Sequence, residues 1–232
     1  MSGDTFYKFI PEVYIIESAR MDDYLNGPQE GKALQECLRI MGIPNYYFPV
    51  FSKDSLKYIL NQIRPSYNIA EDKEQGIATF TVPVLHISAH GAKDYFALTD
   101  STSVSWQELR SILAPINKKC NDCLILCMSV CHGFMAYKSA QTMRTFEVPF
   151  YQLVGPKESV LWKDSLLAFL IFYRKFELLC QGRTSELRNV INSFMENDLF
   201  EIVDGETVQQ TYYEKIVTLA KDLLQKKLEK KQ

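Results

Sequence analysis

The chain has 232 residues, 47% hydrophobic and 23% charged, with a net charge of −2, a composition that supports a full globular core. That near-neutral balance excludes a coat for nucleic acid or an anionic membrane surface, so neither is expected as a partner. No run approaches the ~18 apolar residues of a membrane helix, and no basic segment followed by an apolar one marks a secretory signal. The six cysteines lie mostly inside apolar runs and read as reduced thiols of the cytoplasm, not as a disulfide framework.

In chain order, Met1 to Pro11 reads as a lead-in and Val13-Tyr-Ile-Ile-Glu-Ser-Ala19 as a first strand. Arg20 to Glu30 carries Asp22, Asp23, Asn26, Gly27 and Pro28, and reads as a loop. Ala33, Leu34, Cys37, Leu38 and Met41 follow helical spacing up to Gly42. Tyr46 to Phe51 is a second strand; Leu56, Ile59, Leu60 and Ile63 make a helix closed by Pro65; Ser66 to Gln75 is a surface loop. Ala78 to Ala89 is an apolar strand carrying histidines, Tyr95 to Thr99 a short strand, and Trp106, Leu109, Ile112 and Leu113 a helix ending at Pro115. Leu124 to Val130 has strand length, and a helix is expected behind Gly133. Then come a strand from Phe150 to Gly155, a long helix from Leu161 to Cys180 capped by Gly182, and a helix from Ser185 to Phe194. An edge strand from Leu199 to Val203 and a helix from Tyr212 to Leu228, finishing in Lys230 and Lys231, complete the pattern. This alternation predicts an α/β fold with a mostly parallel central sheet and helices on both faces. A single domain is expected over residues 1–232, with 199–232 as a strand-helix extension.

The chemistry converges on two strand ends. One strand ends in Ser-Ala-His90-Gly91, the other in Ser-Val-Cys131-His-Gly133. If these strands are parallel neighbours, an imidazole and a thiol share the carboxyl edge of the sheet, where sites of open α/β sheets lie. A helix starting after Gly133 would favour the thiolate through its dipole. His86, inside its strand, reads as structural, and His132 as facing away from its neighbour's thiol. A metal site made from Cys120, Cys123, Cys127, Cys131 and His132 is disfavoured, because along a strand Cys127 and Cys131 lie ~13 Å apart at about 3.3 Å per residue. Cys37, Cys123, Cys127 and Cys180 read as small core hydrophobes. No cofactor is called for.

The order His90-Gly91, Leu98, Trp106-x-x-Leu109, then Leu124-Ile-Leu-Cys-Met-Ser-Val-Cys131-x-Gly133, resembles the caspase-like cysteine peptidases of clan CD, in particular the CHAT-domain branch. Phe150 to Gly155, Trp162, Phe172-Tyr173, Gly182 and Ser185 to Phe194 continue the resemblance, while the family's Trp-Pro-x-x-Asp element is reduced to Trp162-Lys-Asp164. The resemblance implies a caspase-like sandwich. It also implies a Cys131–His90 dyad without a third acidic member, and an oxyanion hole made from the backbone N–H groups of Gly91 and Cys131. It further implies a protein substrate, activation by a partner or a small-molecule signal, and a role such as that of a bacterial antiviral effector. Within the family frame, the loop from Pro156 to Asp164 flanks the nucleophile. Asp164 ahead of Glu158 is then expected to select Arg or Lys before the scissile bond, with Trp162 as an apolar wall. A catalytically idle caspase-like binding module or scaffold is the alternative.

Overall fold

The computed structural model describes residues 6–63, 68–72, 77–143 and 147–229. The strands are β1 (Phe6–Ser18), β2 (Asn45–Pro49), β3 (Asn68–Asp72), β4 (Ile77–Ala92), β5 (Tyr95–Ala97), β6 (Ser103–Ser105), β7 (Ile125–Ser129), β8 (Gln152–Pro156) and β9 (Phe200–Asp204). The helices are α1 (Met21–Asn26), α2 (Glu30–Ile40), α3 (Lys53–Gln62), α4 (Trp106–Lys119), α5 (Trp162–Arg174), α6 (Phe176–Cys180), α7 (Thr184–Asn192) and α8 (Gly205–Glu229), with a 3-10 helix at Gly133–Ala140. The main sheet runs β2-β1-β4-β7-β8-β9. Its first four pairings are parallel and β9 closes the edge antiparallel to β8.

Period-two alternation divides the core. Val13, Ile15, Val82, Val84, Ile125 and Cys127 point into one layer with Leu34 and Leu38 of α2, Phe169 and Phe172 of α5, and Leu187 of α7. Tyr14, Ile16, Leu85, Ile87, Leu126 and Met128 point the other way, against Leu56 and Leu60 of α3 and Leu109 and Leu113 of α4. Burial on both faces explains why these strands are apolar without interruption. The predicted class, a mostly parallel α/β sheet clothed on both sides, is what forms.

Several local expectations are corrected. β1 begins at Phe6, not Val13, and runs through Pro11. On the β2 side pairing starts only at Val13, so the absent N–H of Pro11 leaves no ladder bond unmade there. Arg20 to Glu30 is not all loop: it holds α1, which buries no residue of its own and is docked by Tyr24, whose hydroxyl donates to the Glu17 carbonyl at 3.0 Å. Within the expected loop from Ser66 to Gln75, residues 68–72 form β3, antiparallel to the start of β4. Pro115 does not end its helix but lies inside α4. The buried side chains around it pin that helix: Arg110 donates to the carbonyls of Ser139 and Glu147, and Asn117 to that of Val148. The long helix from Leu161 breaks at Lys175, which lets Phe176 and Leu179 turn into the core as α6. Cys127 is buried as expected, whereas Cys37, Cys123 and Cys180 are only partly so. Pro65, Lys230, Lys231 and the first five residues lie outside the described residues.

Candidate active site

The two strand ends meet. β4 and β7 pair in parallel from Val84↔Ile125 to Ser88↔Ser129, and His90 and Cys131 each follow two residues beyond the last pair. Both continue the face of their strands that looks toward α2 and α5. Gly91 marks how closely the chains approach. A Cβ built there would sit 2.2 Å from Val130 Cγ1 and 3.1 Å from the Cys131 carbonyl oxygen. Glycine is therefore required at this position by the neighbouring strand end.

His90 has a partner that sequence reasoning missed. Its Nε2 lies 2.7 Å from Asp23 Oδ2, with the two side chains 26% and 23% exposed. The same Oδ2 accepts from the Arg20 backbone N–H at 3.2 Å, closing the first turn of α1. The edge of the His90 ring meets Trp162, with centroids 5.3 Å apart. With Nε2 engaged by the carboxylate, Nδ1 is the ring nitrogen that remains for another partner. The resemblance implied no acidic third member, and Asp23 is the carboxylate that the fold sets against His90. The only sequence signal was Asp22-Asp23 a few residues beyond a strand end, and the absence of an apolar stripe hid the helix that carries it.

Cys131 sits in a tight turn. His132 takes a left-handed backbone with φ of 58°, a strained choice for a non-glycine residue. Its N–H donates to the Glu158 carbonyl at 2.9 Å, and its Nδ1 lies 3.2 Å from the Lys157 carbonyl. The His132 ring thus engages the loop after β8, for a reason other than strand alternation. Cβ atoms at Gly133 and Gly155 would fall 2.5 Å from the Met128 carbonyl oxygen and 2.9 Å from the Phe134 nitrogen, so both glycines let the turn close onto β8. The thiol of Cys131 donates to the Val160 carbonyl, with sulfur and oxygen 3.6 Å apart. The helix beginning at Gly133 is a 3-10 helix of eight residues, which removes the expected α-helical dipole from behind the thiol.

Beneath the strand ends the same face stays polar. Ser129 and Ser165 share a 2.7 Å hydrogen bond. One layer further down, fully buried His86 pairs its Nδ1 with the Tyr173 hydroxyl at 3.1 Å and holds Nε2 3.6 Å from Glu30 Oε2. Burial raises the Tyr173 phenol well above its usual value and raises the Cys127 thiol as well. Glu17, also buried, accepts from the Gly31 N–H and the Tyr47 hydroxyl, each at 2.7 Å. The Glu17–Gly31 bond fastens α2 to the sheet. Burial also pushes the Cys120 and Cys180 thiols up to about 12, so neither competes as a thiolate at neutral pH.

No protein-family model matches the chain. No curated protein matches it in sequence. Solved structures do match. One, described as "structure of pro-sf-caspase-1", is 10% identical with a TM-score of 0.46, over 86% of this chain and 93% of that one.

Of the predicted site residues, His90, Gly91 and Cys131 come together at one sheet edge, and Trp162 joins them through its contact with His90. Glu158 contributes its backbone carbonyl to the turn while its side chain is exposed. Asp164 lies in the first turn of α5, its N–H bonded to the Leu161 carbonyl. Among the described residues no three of His, Cys, Asp and Glu group as metal ligands, and no helix is long and apolar enough to cross a membrane.

Proposed function

We propose that this chain is a cysteine endopeptidase of the caspase-like kind, with Cys131 as nucleophile and His90 as general acid and base. The observation that carries this reading is the close approach of the two strand ends, with the Gly91 Cα next to His90 packed against Val130 and the Cys131 carbonyl. The hydrogen bond between Asp23 and His90 Nε2 supports it, because it fixes one ring nitrogen and leaves Nδ1 to exchange a proton with the thiol. His90 takes the thiol proton and the sulfur attacks the peptide carbonyl carbon. The oxyanion is held by the N–H groups of Gly91 and Cys131. The C–N bond then breaks as the imidazolium protonates the departing amine, leaving a thioester. Water, deprotonated by His90, hydrolyses the thioester and releases the acid. The substrate is a protein. A regulated effector role such as bacterial defence fits a chain whose thiol is occupied at rest.

That occupancy also favours the second reading. The Cys131 thiol bonds to the Val160 carbonyl and no bond to His90 is formed, as in an idle binding module or an enzyme awaiting activation. Exposure to a small peptide warhead, with intact mass and peptide mapping as the readout, separates the two. An endopeptidase labels at Cys131 alone and loses labelling in His90→Ala. Labelling spread over the six thiols, or unaffected by His90→Ala, supports the idle module.

A further inference from the structure

Beside His90, on the side of β1, lies a cavity of about 540 Å³. Its lining includes Arg20 and Asp22 at the start of α1, His90, and Tyr95, Ser101 and Ser103 of the β5–β6 hairpin. Neither Cys131 nor Trp162 contributes to it. Its walls are braced. The Thr99 N–H donates to Ser18 Oγ at 3.0 Å and Thr99 Oγ1 donates to the Ala19 carbonyl at 2.7 Å, tying the hairpin to the end of β1. Trp106 Nε1 donates to the Lys93 carbonyl at 2.9 Å, which fixes the hairpin's other end, and Phe96 between them is fully buried.

Position assigns the cavity a role if the peptidase reading holds. The acyl half of the substrate stays on the Cys131 sulfur, while the amine half receives its proton from His90 and departs past the ring. β7, which leads into Cys131, and β1 flank β4 on opposite sides. The departing half therefore runs over His90 toward the end of β1, where the cavity opens. Its polar lining includes one guanidinium, one carboxylate and the hydroxyls of the hairpin. Arg20 and Asp22 form no ion pair among the described residues, and the hydroxyls of Tyr95, Ser101 and Ser103 are likewise without a hydrogen-bond partner there. A carboxylate accepts from all of these donors and from the guanidinium fork, whereas a basic side chain would meet Arg20. Asp22 and Asp23, the carboxylates on this side, oppose it, Asp23 being held by His90.

We infer that this cavity is the subsite for the residues on the amine side of the scissile bond, and that it selects an acidic side chain there through Arg20. The inference rests on the peptidase reading and deepens it. The test is digestion of a proteome-derived peptide library, with the new N-termini read by mass spectrometry for wild type, Arg20→Ala, Arg20→Glu and Asp22→Asn. Asp or Glu is expected in the first two positions after the cut, enriched on the order of fivefold, the size of a partly exposed ion pair. The enrichment should vanish in Arg20→Ala, turn toward Lys and Arg in Arg20→Glu, and sharpen in Asp22→Asn. Arg20 is exposed, so these variants should melt like wild type. Cys131-dependent cleavage indifferent to the downstream residues, or an acidic preference that survives Arg20→Glu, overturns the subsite while leaving the peptidase intact. A wild type that makes no Cys131-dependent cut overturns the peptidase reading and the subsite with it.

Discussion

Replacing Asp23 by Asn tests whether the carboxylate orients and supports the catalytic imidazole. The substitution keeps an oxygen acceptor for His90 and for the Arg20 N–H but removes the charge that would stabilise the imidazolium. A hydrogen bond to a charged group contributes about 1.5–3 kcal/mol when shielded. Here the two side chains are 26% and 23% exposed, so solvent screening reduces the effect to about 1–2 kcal/mol. On the proposed mechanism the expected loss is about 5- to 30-fold in kcat, with KM near the wild-type value because Asp23 acts there through the imidazole alone. Asp23→Ala should lose more, since it also removes the 3.2 Å bond that closes the first turn of α1. The assay is steady-state hydrolysis of a fluorogenic peptide taken from an identified cut site, with a thermal melt run in parallel. A kcat within twofold of wild type in Asp23→Asn, or a loss confined to KM, would refute the orienting role.

The packing sets three further outcomes. Burial lifts the Glu17 carboxyl above its usual value of 4.5, against the bonds from Tyr47 and Gly31. The folded chain therefore holds this proton to higher pH than the unfolded one. The contribution is full below about pH 4.5 and is lost as pH rises through the folded-state value, so Glu17→Gln should flatten urea-derived stability across that window. An unchanged pH slope contradicts this. His86→Ala removes a fully buried imidazole that pairs with the Tyr173 hydroxyl and lies 3.6 Å from Glu30, and should cost about 1–3 kcal/mol, with part of the loss recovered in the double variant with Glu30→Gln. Additive losses in chemical denaturation would show that the two do not interact. Gly91→Ala places a methyl 2.2 Å from Val130 Cγ1 and should abolish activity and lower the melting temperature, whereas adding Val130→Ala should restore part of both.

The sheet was legible because its strands are buried on both faces and so stand out as apolar runs broken by glycine. The nearness of the His90-Gly91 and Cys131 segments was legible for the same reason: both lie at the ends of buried apolar runs. What escaped was whatever tertiary contacts impose. α1 buries nothing, and its turn-forming residues are held helical by the Tyr24 hydroxyl, so Asp23 could not be seen as a partner of His90. Pro115 failed as a stop because Arg110 and Asn117 lock α4 from both sides of it. β3 is short and polar and is defined only by its pairing with β4. The turn at His132, with its left-handed backbone, is dictated by carbonyls of the distant loop after β8. The cavity beside His90 also escaped, because it is assembled from the end of β1 and a hairpin about 80 residues away.

If Cys131 and His90 together break peptide bonds, the most direct test is made on protein substrates. A native proteome is incubated with wild type, Cys131→Ala and His90→Ala at equal folded concentration, and new protein N-termini are counted by mass spectrometry. Wild type should yield a defined set of cuts sharing residues around the scissile bond, and neither variant should yield any. Cuts that persist in Cys131→Ala or His90→Ala, or a wild type that yields no more new termini than the variants, would contradict the dyad.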